Sequence, residues 1–537
     1  MADSPVPTPP SERSTVARGV AASAIIVAMG QLLSRVMGLV RETVLSGVFG
    51  SSRQMDSFAV VSAVPDMVYQ LLLGGMVSAA LVPVLSEYSG RGDREELERL
   101  ASILLTGSAV IFLGIILILE VAAPLVAVVI ASGFDAELQQ LTTLLIRLIV
   151  PSLVFFGAWG VTVAVLYARQ QFAFPAMAAA VYNLGVILAA LFLAPRLEAA
   201  ALSLGVVLGA SLQLMIVLPG LRGLRLRPCL DLRHPALRRI IILYMPVIAS
   251  LVVSNLGIVI DRNLASRAGQ QALSWMRYAT FLTQLPLGLV SVAIATASLP
   301  TLARLTSEEN RPHFRRALAG ALRLVIVLVA PACVGLIILG EAGIRAVLEH
   351  GAFTAADTTA VMRTLLFYLP GLPFAAIDQP IVFAFYARKD TVTPVLVGIA
   401  GVCAYLLVGP LLAFGLGIGY IGLVIANSVQ LTTHCVLMWI MLQRRVGSMA
   451  GHGLRSTTIR AGLASVAAGL AMAAALGVTR RVLPSEGAMA EVTLLLIGGG
   501  AGIVTYVGGL ALLGVEEMAV LAQTVRRRLR QLAGSAE

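Results

Sequence analysis

The chain has 537 residues, 58% hydrophobic and 12% charged, with a mean hydropathy of +0.91 and a formal net charge of +11. Soluble domains run at about 45–50% apolar and about 25% charged. The composition therefore excludes a soluble enzyme and describes a polytopic membrane protein. The positive charge is no nucleic-acid footprint, because the basic residues sit in short turns between apolar runs rather than along one face.

Residues 1–16, "MADSPVPTPPSERSTV", are rich in Pro and Ser and are expected as a disordered tail. The first apolar run is too long for a cleavable signal peptide and continues into the fold. About 20 apolar residues cross a bilayer as a helix. Fourteen such spans are expected, centred on 19–47, 56–84, 101–130, 139–167, 173–195, 199–221, 240–264, 273–302, 321–345, 358–386, 392–414, 417–442, 458–479 and 489–514. Their length and their Leu, Ala and Gly content require helices, which satisfy their own backbone in lipid.

With the N-terminus inside, 26 of the 39 Lys and Arg fall in inside segments and 7 in outside segments. That bias predicts a cytoplasmic membrane protein with both termini cytoplasmic. The expected organisation is an N-lobe at 17–222 (spans 1–6), a basic linker at 223–239 and a C-lobe at 240–445 (spans 7–12). Spans 13 and 14 follow within 446–514, and a basic tail at 515–537. The halves are weakly parallel. Span 1 carries "SRVMGLVRE" and span 7 "VIDRNLAS"; spans 2 and 8 exit through "ALVPVLSEYSG" and "ASLPTLARLTS". Charged segments 91–100 and 304–316 follow those exits and are expected as amphipathic surface helices. A duplicated six-span unit is a transporter architecture. The tail "QTVRRRLRQLAG" suits anionic lipid.

An Arg at mid-bilayer costs about 2.5–3.5 kcal/mol on insertion scales, so charges inside spans need a reason. In span 1, Ser34, Gly38 and Arg41 share one helix face, with Arg35 and Glu42 on the next. Polar groups on two neighbouring faces point to an aqueous cavity; the alternative is a shorter helix whose end charges snorkel. Asp56 opens span 2, where it could pair with Arg41 or Arg53 or act as a plain helix-start acid. Arg277 lies early in span 8 between Trp275 and Tyr278, a setting that also suits an interfacial anchor. Arg147 in span 4 and Arg363 in span 10 are accessory candidates, and Arg323 suits a headgroup contact. Asp261 and Asp378 are candidates for a coupling cation. His434 has no evident partner and is read as hydrogen-bonded packing. Cys229, Cys333, Cys403 and Cys435 are scattered without metal or redox spacing, so no metal is expected. An interior rich in Arg and poor in acids suits a phosphorylated anion, which guanidinium binds bidentately.

Several stretches together resemble the MurJ/MviN family of lipid II flippases: "SRVMGLVRETVLSGVFG" with "MDSFAVVSAVPD", "SWMRYATFLTQLPLGLVSVAIATASLPTLARL", "EHGAFTAADT" and "FYARKDTVTPV". The resemblance runs from about residue 20 to 515. It implies the fold of the multidrug/oligosaccharidyl-lipid/polysaccharide exporter superfamily: all-α, with fourteen transmembrane helices, two six-helix lobes around a central cavity, and two C-terminal helices forming a lipid-tail groove. It also implies the substrate, a peptidoglycan precursor on undecaprenyl diphosphate, moved from the inner to the outer leaflet by alternating access. Substrate contacts carry over to Ser34, Arg35, Arg41 and Asp56.

The chain departs from many members at Tyr69, Gln70 and Gly74 in span 2, where they carry arginines and Glu–Gly. Thr280 and Phe281 stand in span 8 where they carry Asp–Arg. Arg277, one turn before Phe281, is expected to replace the missing cation. No cofactor or nucleotide motif is found, so the membrane potential, with or without a coupling cation, is the expected driving force. Expected partners are the lipid-linked precursor, membrane lipids and cell-wall synthases. The alternatives are a polysaccharide-lipid or cation-coupled drug exporter of the same superfamily and, in another class, a membrane glycosyltransferase or lipid phosphatase. The short outer loops, poor in carboxylates and His, disfavour the latter, and a pure scaffold would not need buried arginines.

Overall fold

The structure, a computed structural model, describes residues 10–90, 93–482, 487–515 and 517. Among them every regular element is helical. Fourteen long helical stretches follow one another. They are α1 (Pro10–Phe49), α2 (53–90), α3 (Arg94–Ile130), α4 (Ala136–Ala168), α5 (Ala173–Phe192), α6 (Ala200–Leu221), α7 (Pro235–Arg267), α8 (Ala272–Arg304), α9 (Glu308–Val347), α10 (Ala355–Ala387), α11 (Val392–Gly415), α12 (Tyr420–Val446), α13 (Leu454–Val482) and α14 (Ala488–Leu512). Eleven are long and apolar enough to cross a membrane; α1, α2 and α7 complete the series at the places expected for spans 1, 2 and 7. The series is consistent with fourteen spans.

Local chemistry sets the boundaries. The Ser52 side chain accepts from the Met55 amide at the start of α2, Asp93 from Glu96 in α3, and Asp135 from Leu138 in α4. Thr354 and Asp357 form a reciprocal capping box on α10. Pro286 in α8 and Pro410 in α11 each directly precede a π-helical turn, Leu287–Ser291 and Leu411–Gly415. A proline offers no amide hydrogen and its ring crowds the carbonyl four residues back, so the ladder shifts register there. In α2 the π-helical stretch spans Leu72–Leu81, and the Tyr244 hydroxyl donates to the Leu71 carbonyl beside it at 2.9 Å.

Two corrections concern the charged segments. Residues 94–100 and 311–316 are no separate surface helices; each is the first part of an unbroken 37-residue helix, Arg94–Ile130 and Arg311–Val347. Residues 10–16 belong to α1 rather than to a tail. The expected basic tail lies outside the described residues except at Val515 and Glu517.

The chain divides into two compact units, residues 1–267 and 268–537. In the first, α1 lies along α5, α5 packs on α6, α3 on α4, and α7 on α2. The α5–α6 crossing is set by two glycines: a Cβ on Gly185 would lie 2.5 Å from the Gly209 Cα. Such small-residue contacts let helices approach where lipid supplies no hydrophobic drive. The basic loop after α6 is seated on α3. Buried His234 meets Glu96 at 2.8 Å, Arg99 meets Asp231 at 2.9 Å, and the Arg227 and Cys229 amides donate to Ser102 and Thr106.

In the second unit α10 packs on α8 and α12, α11 on α12, and the pair α13–α14 on α9. The Tyr506 hydroxyl donates to the Val327 carbonyl at 2.5 Å amid Ala461, Ala464, Ala468 and Leu510. The halves share details that sequence patterning shows only faintly. Both α4 and α10 open with a 14-residue segment that ends at a proline turn, Pro151 and Pro370. Both α2 and α8 contain π-helical turns.

Candidate substrate site

The face of α1 carrying Ser34, Gly38 and Arg41 meets Asn183 of α5. The Asn183 amide nitrogen donates to the Ser34 carbonyl at 3.2 Å, and its amide oxygen accepts from Arg41 Nη1 at 2.9 Å. A Cβ on Gly38 would lie 3.8 Å from the same amide nitrogen. One side chain, 6% exposed, thus spans two turns of α1. Asn183 was not among the expected site residues, because a lone Asn in an apolar run carries no spacing signal.

Arg41 is also held by its sequence neighbour. Its Nη2 and Nε contact Glu42 Oε1 at 2.7 and 3.2 Å, and Glu42 is only 2% exposed. A guanidinium has five N–H groups. Three are taken here, and Arg41 remains partly accessible with N–H donors to spare. The expected pair of open cations on α1 is therefore unequal. Arg41 is charge-compensated, whereas half-buried Arg35 has no side-chain partner among the described residues.

Asp56 is buried in the first turn of α2. Arg53 meets Asp135, whose carboxyl is held below the usual range by the Leu138 amide and, further, by Arg53. Asp261 is half-buried on α7. Two residues later on α7, the Asn263 side chain donates to the Val129 carbonyl and to Ser132 Oγ, both at 2.8 Å. Arg147 is exposed at the end of the first α4 segment.

In the second unit Arg277 is half-buried on α8. Its neighbours are fixed: the Trp275 indole donates to Asp357 at 3.2 Å, and buried Tyr278 packs edge-on against Phe353. Arg363 is exposed. Arg323 is no free headgroup contact; it pairs with Glu517 at 2.7 Å and donates to the His452 carbonyl. His434 has a partner after all, Asp378 of α10, at 2.9 Å. In span 2, Tyr69 stacks on Trp159 at 5.3 Å, so an aromatic cluster occupies that departure from the family pattern.

A profile of the lipid II flippase MurJ family matches residues 45–497. The chain belongs to the lipid II flippase MurJ family. The MurJ relative from Burkholderia cenocepacia is 31% identical over 424 residues, 77% of this chain and 82% of that protein. A probable lipid II flippase MurJ from Vibrio cholerae is 28% identical, over 79% of this chain and 83% of its own length. A solved MurJ in an inward-closed conformation superposes with a TM-score of 0.75 over 91% of this chain and 99% of its own, at 24% identity. An inward-facing multidrug transporter of the MATE family, of the MOP superfamily, reaches 0.69 over 79% of this chain and 98% of its own, at 13% identity. As a MurJ-family member the chain is a transporter rather than an enzyme, and a multi-span protein of the inner membrane.

Proposed function

We propose that the chain is a lipid II flippase. It carries the undecaprenyl-diphosphate-linked peptidoglycan precursor from the inner to the outer leaflet by alternating access, with the polyprenyl tail left in lipid. The family match over residues 45–497 carries this reading. Arg35 on α1, which has no counter-ion among the described residues, supports it, because a diphosphate leaving water needs a compensating charge.

Arg35 is the first contact for the diphosphate. Arg41, steadied by Glu42 and Asn183, offers its remaining N–H groups. In the second unit, Arg277 is the candidate for the cation that the family pattern otherwise places four residues later. Ser34 and Asp56 are the further polar candidates of the first unit. Both termini are cytoplasmic, as the positive-inside bias requires. Moving about two negative charges outward across a negative-inside membrane gains roughly 4–5 kcal/mol per 100 mV, which gives the direction without a nucleotide. Synthases that consume the precursor outside are the expected partners.

The test is replacement. In a bacterium whose own flippase can be switched off, this chain should restore growth and shape. Persistent lysis with the protein present in the membrane would overturn the reading.

A further inference from the structure

The Asp378–His434 pair is not among the proposed diphosphate contacts, and its surroundings make it unusual. Asp378 is 8% exposed, on α10. His434 Nδ1 lies 2.9 Å from its Oδ2, while Oδ1 is buried with no partner among the described residues. The imidazole also interacts with the Pro394 carbonyl of α11.

Both partners of the ring are therefore acceptors. A neutral imidazole has one donor and one acceptor nitrogen, and an ionised carboxylate only accepts. Two arrangements make the pair net neutral: the ring carries two protons, or the carboxyl carries one and donates it to Nδ1. Each arrangement holds one proton more than a carboxylate beside a neutral ring. The surroundings favour neutrality. Ile381, Ala384, Phe385 and Met438 form one apolar cluster beside the pair, and Val325, Val329 and Ala376 another. A net negative charge there would be poorly solvated.

Few other groups could balance it. Tyr386 on α10 and Cys435 on α12 lie near Asp378 and Cys333 on α9 borders the second cluster, and none of the three can carry a positive charge. The α8 residues at that cluster, Leu287, Val290 and Ile294, and the α11 residue Val397 are apolar. The two side chains are 12% and 20% exposed, so the pair is reachable from outside the packed helices.

We propose that Asp378 and His434 form a proton-binding site within the spanning helices, and that its proton is taken up and released once per transport cycle. The proton moves between the dyad and water, and no other bond is made or broken. The second half rests on the transport reading above; the first does not.

Two measurements separate them. The full chain, labelled with 15N-histidine in nanodiscs and with the signal assigned through H434Q, should show His434 changing state in one step between about pH 5 and pH 9. D378N should displace that step by at least about one pH unit, tenfold in proton affinity. A ring that never changes state, or a step unmoved in D378N, overturns the site. In proteoliposomes carrying lipid II, wild-type flipping should vary several-fold over the same range. D378N should be pH-independent, and D378E should regain the dependence. Equal pH profiles for wild type and D378N would overturn the coupling. If the ring titrates as expected but no preparation flips lipid II, the transport reading fails and the proton site stands.

Discussion

Arg41 and Asn183 are joined across the α1–α5 seam by a 2.9 Å hydrogen bond, and the same Asn183 amide holds the Ser34 carbonyl at 3.2 Å. A buried polar side chain that serves two turns of a neighbouring helix fixes both the position of Arg41 and the rotation of α1. Replacing Asn183 by Leu removes both bonds and leaves the Ser34 carbonyl and one Arg41 N–H without them. The expected cost is about 1–3 kcal/mol, read as a lower unfolding temperature in detergent. R41K should also be damaging, because an ammonium cannot reproduce the fork that meets Glu42 and Asn183 together. Full complementation by R41K would contradict that geometry.

Arg277 carries a second prediction. If it replaces the cation missing at Phe281, R277E should abolish complementation while the protein still reaches the membrane, and R277K should retain partial function. Normal growth with R277E would end its assignment to the substrate.

The crossing of α5 over α6 depends on Gly185 and Gly209. An added Cβ at Gly185 meets backbone at 2.5 Å, which a side-chain rotation cannot relieve. G185A should cost about 1–3 kcal/mol and G185V more, with loss of folded protein on size-exclusion chromatography. Unchanged stability in G185V would show that the helices have room to separate.

Asp390 caps α11 just outside the membrane-spanning part. Its carboxyl accepts from the Thr393 amide at 3.0 Å and hydroxyl at 2.8 Å, and Arg445 lies 3.5 Å away. Burial alone would raise its pKa; the Thr393 and Arg445 contacts outweigh this and hold it below the usual carboxylate range. A carboxylate depressed on folding contributes stability that is present above its unfolded pKa, about 3.9, and is lost as pH falls through the folded value. D390A should therefore cost about 1 kcal/mol at neutral pH. The gap from wild type should close on acidification below about pH 4. A gap that does not change with pH would mean the loss is not one of a charged cap.

Much of the architecture was legible from hydropathy, because a span must be long and apolar wherever it packs. The helix-face arithmetic for Ser34, Gly38 and Arg41 was also sound, since it depends only on helical periodicity. What that face meets was not legible: Asn183 lies 142 residues beyond Arg41, and no local pattern ties them. The same holds for Asp378 and His434, brought together by the packing of α10 on α12. The segments 94–100 and 311–316 misled because a charged turn reads as amphipathic whether or not the helix runs on into lipid. The π-helical turns after Pro286 and Pro410 leave no trace in the hydropathy pattern, because the apolar run continues through them.

The account stands or falls on which leaflet holds the precursor. In cells depleted of their own flippase, labelled lipid II should be trapped in the inner leaflet. Expressing this chain should make it accessible to an externally added, membrane-impermeant enzyme that cleaves the exposed headgroup. R35A, present at equal level, should leave most of it inaccessible. Lipid II that stays inaccessible with the unaltered chain folded in the membrane would contradict the account.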